Sequence, residues 1–273
     1  VNVAETLKRI TRTNVAEYIV RRVHQGRSIA QANIDLIRID DKNFILKDFY
    51  HHNALVRALW GKRIIAREAR ILKRLQGIEG IPAFIGRIDQ YCLVMEYIEG
   101  GRLPHRNQPP PSPRFFQRLK TLLGEMHKRG ITHGDLRRKN ILIASGDRPY
   151  LIDFAGAFRL KKRGNFIMRA IFRRLRKVDD LTALKLHYSY QPGTLTKAEK
   201  KRLENTPWYL RLGRFLKKKV YRPFKHATRS KYKRSKKSIN VKIRKFPDIS
   251  RKGEHTHGKD NYRKNSGKPF RKQ

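Results

Sequence analysis

Residues 131–160, ITHGDLRRKNILIASGDRPYLIDFAGAFRL, decide how this chain folds and what it can do. Two apolar runs, Ile141-Leu142-Ile143 and Tyr150-Leu151-Ile152, flank Gly146-Asp147 and read as strand–turn–strand. They set Asp135, Asn140 and Asp153 at strand ends, where a rigid scaffold can aim them at a ligand. Two carboxylates and one amide so placed suit a nucleotide–magnesium complex, because magnesium takes oxygen ligands and shares them between protein and phosphates. The plainer alternative makes these acids turn and cap residues. It accounts for Asp147 but not for Asp153, since no turn requires an acid directly after Tyr-Leu-Ile.

His133-Gly134-Asp135-Leu136 followed by Asn140 resembles the catalytic loop of protein-kinase-like phosphotransferases, and Asp153-Phe154-Ala155 resembles their metal-binding element. The resemblance implies an α+β, two-lobed protein-kinase-like fold, with a small antiparallel β N-lobe over residues 1–99 and a mainly helical C-lobe over 100–221. A disordered basic tail over 222–273 would follow. It implies ATP with Mg2+, or Mn2+ in its place, as cofactors. Asp135 would orient the acceptor hydroxyl and take its proton, and Asn140 and Asp153 would hold the metal. Arg137 or Lys139 would offset charge developing on the transferred group.

Upstream, Tyr18–His24 and Ala32–Ile39 read as strands around Gln25-Gly26-Arg27-Ser28. In a kinase-like lobe that turn covers the phosphates, with amides near Gly26 and Ser28 turned to phosphate oxygens. Its single glycine also fits an ordinary hairpin turn. Asn43–Tyr50 alternates as a half-buried strand, with Phe44 and Leu46 on one side and Ile45 and Lys47 on the other. A lysine on an apolar strand needs an anionic partner, and Lys47 resembles the strand lysine that contacts the α- and β-phosphates. A helix over 61–76 puts Ile65, Glu68, Leu72 and Leu75 on one face. Glu68 is the sole acid between Asp48 and Glu79. We expect it to pair with Lys47 rather than with a surface cation one turn away.

Ala83–Ile88 and Tyr91–Tyr97 continue the sheet. Glu96-Tyr97-Ile98-Glu99-Gly100-Gly101 then matches the hinge between kinase lobes, where Glu96 and Ile98 would meet the adenine and Glu99 the ribose. The alternative is a strand ending in a Gly-Gly turn. Pro104–Pro113 reads as a stiff spacer. Ser112-Pro113 starts a helix whose buried stripe runs through Phe115, Phe116, Leu119, Leu122, Leu123 and Met126, and Gly130 ends it. Residues 3–17 are expected to hold a short helix and 176–187 another. Asp179 or Asp180 would either buttress the catalytic loop or simply favour a helix N-terminus. Thr206-Pro207 caps a last basic amphipathic helix, suited to closing the C-lobe or to lying on an anionic membrane.

Formal net charge is +44, from 66 Lys and Arg against 22 Asp and Glu. From Arg211 onward 24 cations face only Asp248, Glu254 and Asp260, so this part carries +21 and the rest +23. Such a field favours an anionic partner: RNA, the inner membrane face, or a phosphorylated substrate. The single Cys92 sits in an apolar run and excludes an intramolecular disulfide. No run approaches the roughly 20 apolar residues of a membrane span, and no secretion signal is visible. The chain is expected to be cytoplasmic, with peripheral attachment to the membrane as an option.

Gly134 in place of arginine, the short segment after Phe154 and the absence of an APE-like triplet depart from regulated protein kinases. They resemble atypical bacterial kinases of two branches. One phosphorylates Kdo or heptose sugars of the lipopolysaccharide core; the other is the RIO-type serine kinases. The Asp153-Phe154-Ala155-Gly156 run favours the sugar as acceptor, with a protein serine as the alternative. Aminoglycoside and choline kinases share HGD-like loops and keep other small acceptors open. A further alternative is a kinase-shaped, non-catalytic module tethered to RNA or membrane by its tail.

Overall fold

The computed structural model describes residues 3–26, 31–161 and 163–205. Ser28 and the expected helix after Thr206 lie outside them, as does the whole basic tail. The N-terminal part opens with α1 (Val3–Arg9) and a 3-10 turn at Val15–Tyr18. The strands β1 (Ile19–His24), β2 (Asn33–Ile39) and β3 (Lys42–Asp48) follow. Next come a single turn α2 (Ala54–Val56), a π-turn at Arg57–Gly61, and α3 (Lys62–Leu75). The strands β4 (Phe84–Asp89) and β5 (Cys92–Glu96) complete an antiparallel sheet of order β1-β2-β3-β5-β4.

Strand alternation gives this sheet two different faces. Phe44, Leu46, Ile37, Ile39, Cys92 and Val94 point one way and pack with Leu7 and Ile10 from the N-terminal segment. Ile45, Leu93 and Met95 point the other way, into the core shared with α3 and the C-terminal part. Lys47 shares the face of Ile45 and is therefore delivered under α3. The Arg12 guanidinium ties the N-terminal segment down by bridging Asp48 (2.7 Å) and Asp89 (2.6 Å) at the ends of β3 and β4.

The chain continues through β6 (Gly100–Arg102), α4 (Pro113–Lys128), β7 (Ile131–Thr132), β8 (Ile141–Ala144), β9 (Arg148–Leu151) and β10 (Phe158–Arg159). It closes, within the described residues, with α5 (Phe166–Tyr190) and α6 (Lys197–Glu204). Ser112 caps α4 through its side chain, Pro113 occupies the first turn, and Gly130 (φ +74°) follows the helix. β8 and β9 form the expected hairpin, closed by Gly146 and Asp147, both at positive φ.

Three expectations need correction, and one helix is additional to them. Gly100-Gly101 is not merely a turn, because it forms β6 against β8; a Cβ at Gly100 would stand 2.2 Å from the Ile143 carbonyl oxygen, so the strand requires glycine there. The N-terminal helix stops at Arg9, and Val15–Tyr18 forms a separate 3-10 turn. The later helix begins at Phe166, ten residues before Arg176, capped by the Asn165 side chain on the Met168 amide. α6, not anticipated, starts on a Thr196/Glu199 capping box. The fold is α+β, an antiparallel N-terminal sheet followed by a mainly helical part.

Candidate active site

α3 carries its one acid inward. Glu68 is fully buried, and the Lys47 ammonium reaches its Oε2 at 2.6 Å and Asp153 Oδ1 at 3.1 Å. Burial opposes charge on Lys47, but Glu68 and then Asp153 outweigh it, and the ammonium is held above its ordinary range. Lys47 likewise holds the Asp153 carboxyl below the usual carboxylate range, against the effect of burial. The residue before Glu68 on the helix, Arg67, donates to the carbonyl of Ala157. α3 thus grips the chain on both sides of the turn at Phe154–Gly156.

Asp153 adopts a left-handed backbone (φ 68°, ψ 71°), which non-glycine residues seldom occupy and aspartate tolerates better than most. The surroundings enforce it. Ile152 donates its amide to the Asn140 carbonyl at 3.0 Å, and its own carbonyl accepts from His133 Nε2 at 3.1 Å. Phe154 is buried in the core, its ring 5.1 Å from that of His133. With its neighbours fixed on both sides, the Asp153 side chain is left partly exposed.

The loop 133–140 is equally determined. A carbonyl can only accept, so His133 Nε2 carries the proton, and Nδ1 faces the Asp135 amide at 3.4 Å as an acceptor. Burial lowers the His133 pKa, in keeping with this neutral form. Gly134 sits at φ +71°, and a Cβ there would stand 2.4 Å from the Gly156 carbonyl oxygen. The loop therefore admits no arginine at this position. Asn140 Nδ2 donates to the Asp135 carbonyl at 2.9 Å and lies 3.4 Å from its carboxylate. Its nitrogen end is spent inside the loop, and its carbonyl oxygen is the end available to a ligand. Arg137 lies against Asp135 at 2.5 Å, and Lys139 is exposed in the 3-10 turn beside Asn140.

Beneath this loop, Asp179 accepts from the His133 amide (2.7 Å) through Oδ2 and from the Gly134 amide (3.2 Å) through Oδ1. His127 Nε2 adds a third contact at 3.3 Å. Of the two readings of Asp179, the buttress holds. The helix N-terminus lies at Phe166, over three turns away, so acid placement at a helix start does not explain it. We expect Asp179→Ala, which strands two backbone donors, to lower unfolding free energy by about 2–4 kcal/mol. Asp179→Asn, which keeps one acceptor, should fall between the variant and the parent in urea titrations.

The neutral His133 gives a pH dependence. Its pKa is depressed on folding, so its contribution is fully present above the ordinary histidine pKa of about 6.5 and is lost as pH falls through the folded value. Asp153 adds a second loss, starting only below the ordinary carboxylate range. Thermal melts between neutral pH and pH ~5 should show the parent losing stability faster than His133→Phe.

Not every expected residue converges here. The Gly26 amide donates to Asn33 Oδ1 at 3.0 Å, so in this structure it is engaged within the protein rather than open to phosphate. The Glu96 side chain accepts from the Ala83 amide at 2.9 Å and its own amide donates to the Ala83 carbonyl at 2.9 Å, which fixes the chain entering β4 and leaves only its backbone carbonyl for a base. Ile98 is buried and Glu99 exposed beyond the end of β5. Arg67 and Asn33 are further contributors, Arg67 acting on Ala157 ninety residues away and Asn33 on Gly26 seven residues away. The donors that Asp153 and Asn140 present are oxygens, which fits magnesium, whereas among the described residues no group of three or more His, Cys, Asp or Glu is placed to hold a metal alone.

Residues 13–171, over half of the chain, match the RIO domain. Among the relatives, a probable bifunctional tRNA threonylcarbamoyladenosine biosynthesis protein of Methanosarcina mazei is 37% identical over 92 residues, 33% of this chain and 16% of the relative. The KEOPS complex subunit Bud32 of Pyrococcus abyssi is 36% identical over 96 residues, 32% of this chain and 42% of the relative. The serine/threonine-protein kinase pkn2 of Myxococcus xanthus is 34% identical over 114 residues, 38% of this chain and 14% of the relative. The chain spans less than half the length of each.

Proposed function

The chain belongs to the RIO domain family, and from that premise we propose that it is an ATP- and magnesium-dependent kinase acting on a protein serine or threonine. The observation that carries the reading is the convergence of Lys47, held by Glu68, on Asp153, with Asn140 and His133 both bonded to the residue before Asp153. The likeness to a serine/threonine kinase supports the acceptor. The lipopolysaccharide sugar expected from the Asp153–Gly156 run draws no support from these comparisons. The complete set of Lys47, Glu68, Asp135, Asn140 and Asp153 speaks against a non-catalytic scaffold.

In this reading Lys47 binds non-bridging phosphate oxygens, and Glu68 keeps it aimed and charged. Asp135 orients the acceptor hydroxyl and takes its proton as the new O–P bond forms and the bond from the γ-phosphorus to ADP breaks. Arg137, now folded onto Asp135, moves to offset charge on the transferred group, with Lys139 beside it. Asn140 and Asp153 would hold magnesium, which when bound offsets charge on the phosphate oxygens. Positioning and electrostatics supply nearly all the rate enhancement in such transfers. Ile98 and the Glu96 backbone would receive the adenine, Glu99 the ribose, and the turn of Gly26 and Ser28 would cover the phosphates. No helix among the described residues is long and apolar enough to cross a membrane. The excess of cations from Arg211 onward supports attachment to an anionic surface, RNA or the membrane face.

The test is to incubate the full chain with γ-labelled ATP and magnesium, separately with a protein lysate, ribosomal fractions and lipopolysaccharide core. Label on protein serine or threonine is expected. Label confined to the core sugar would overturn the acceptor, and no ATP turnover under any condition would overturn the enzyme.

A further inference from the structure

α3 is asymmetric in a way the cleft does not require. Its only acid is buried on Lys47, while Lys62, Arg63, Arg67, Arg70, Lys73 and Arg74 are all exposed. Among the described residues none of these six joins an ion pair. A groove of about 570 Å³ runs along this face, lined by Ala58, Lys62, Arg63, Ala66, Arg67 and Arg70. The two alanines keep it open and the four cations wall it. Arg63 and Arg70 each donate one N–H to a carbonyl four residues back, to Leu59 at 2.9 Å and Ala66 at 3.0 Å. That contact holds each guanidinium along the helix and leaves its other donors for a ligand. Neighbours three and four apart on a helix stand about 5–6 Å apart, so Arg63, Arg67, Arg70 and Arg74 form one continuous cationic track.

An acidic peptide and a nucleic acid would both answer this charge. An aromatic decides between them. Trp60, 54% exposed, lies in the π-turn directly before Lys62, and such single π-turns concentrate at functional sites. Trp60 precedes Arg63 by three residues, about one helical turn, and cations one turn from an exposed aromatic suit a single strand, with phosphates on the cations and a base on the ring. We infer that the outer groove of α3 binds single-stranded nucleic acid, separately from anything the basic tail holds. This site is independent of the phosphotransfer reading.

The test uses the full chain with Trp208→Phe, which leaves Trp60 as the single tryptophan. A labelled oligoadenylate of about 12 nucleotides is titrated by anisotropy and by tryptophan fluorescence at several salt concentrations. Saturable quenching of Trp60 is expected. The triple variant K62E/R63E/R70E, which spares Arg67, should bind at least tenfold more weakly. Its salt dependence should be shallower by about 2 in log–log slope, from three lost contacts at about 0.7 each. Trp60→Ala, read by anisotropy, should weaken binding about tenfold without altering the slope. It stands as a second test should the triple variant not fold. Unchanged affinity and slope in both variants would place the oligonucleotide on the tail and overturn the inference. Equal quenching and competition by polyglutamate would overturn it in favour of an acidic polypeptide.

Discussion

Asp153→Asn should lose phosphotransfer by on the order of 10³-fold at only a modest cost in unfolding temperature. The asymmetry follows from what each part of the residue does. Asparagine tolerates the left-handed backbone at this position, where φ is 68°, nearly as well as aspartate. Its amide oxygen can still accept from the Lys47 ammonium, and the neighbouring bonds of Ile152 to Asn140 and His133 are untouched. What disappears is the negative charge, and with it the strongest oxygen donor for magnesium. Calorimetric titration of ATP with and without magnesium, beside a thermal melt, separates the two effects. The parent should gain nucleotide affinity from magnesium and the variant should not. Equal turnover by parent and variant would remove the metal role from Asp153.

Lys47→Met should be costly in both stability and activity, and the second substitution should repair only one of them. Removing the ammonium leaves Glu68 as an uncompensated carboxylate in a fully buried site. Breaking such a pair by deleting one partner costs about 3–5 kcal/mol. Replacing both partners by apolar residues of similar volume is often neutral, because desolvation of two charges is relieved together. Lys47→Met with Glu68→Leu should therefore regain most of the lost stability in urea titrations. Turnover should stay as low as in the single variant, since no cation faces the phosphates. Recovery of activity along with stability would mean that the pair serves the fold alone.

Most local elements of this site are legible in the sequence, while few of its tertiary contacts are. The β8–β9 hairpin follows from two apolar runs around Gly146-Asp147, and the inward stripe of α3 from its helical spacing. The Lys47–Glu68 contact could be anticipated because a strand lysine and a lone helix acid each lacked another partner. The start of α5 is hidden because Phe166, Ile167 and Met168 are exposed apolar residues that give no amphipathic period, so Asn165 is the one local sign of it. β6 exists only because β8 lies beside it; two glycines in three residues carry no strand signal of their own. The Asp179 buttress, one of two readings open for that acid, joins residues 45 and 46 positions apart, whereas the Arg67–Ala157 contact spans 90 and leaves no signal in the sequence. α6 does carry a local signal in its Thr196–Glu199 capping box.

The most direct measurement is a crystal structure of the full chain with Mn2+ and a non-hydrolysable ATP analogue, using the anomalous signal of manganese. The account predicts a peak bonded to a carboxylate oxygen of Asp153 and the amide oxygen of Asn140, at a little over the ~2.1 Å of magnesium–oxygen bonds, with Lys47 on the phosphates. Manganese bound elsewhere, or a nucleotide lying outside the cleft between Lys47 and Asp135, would contradict it.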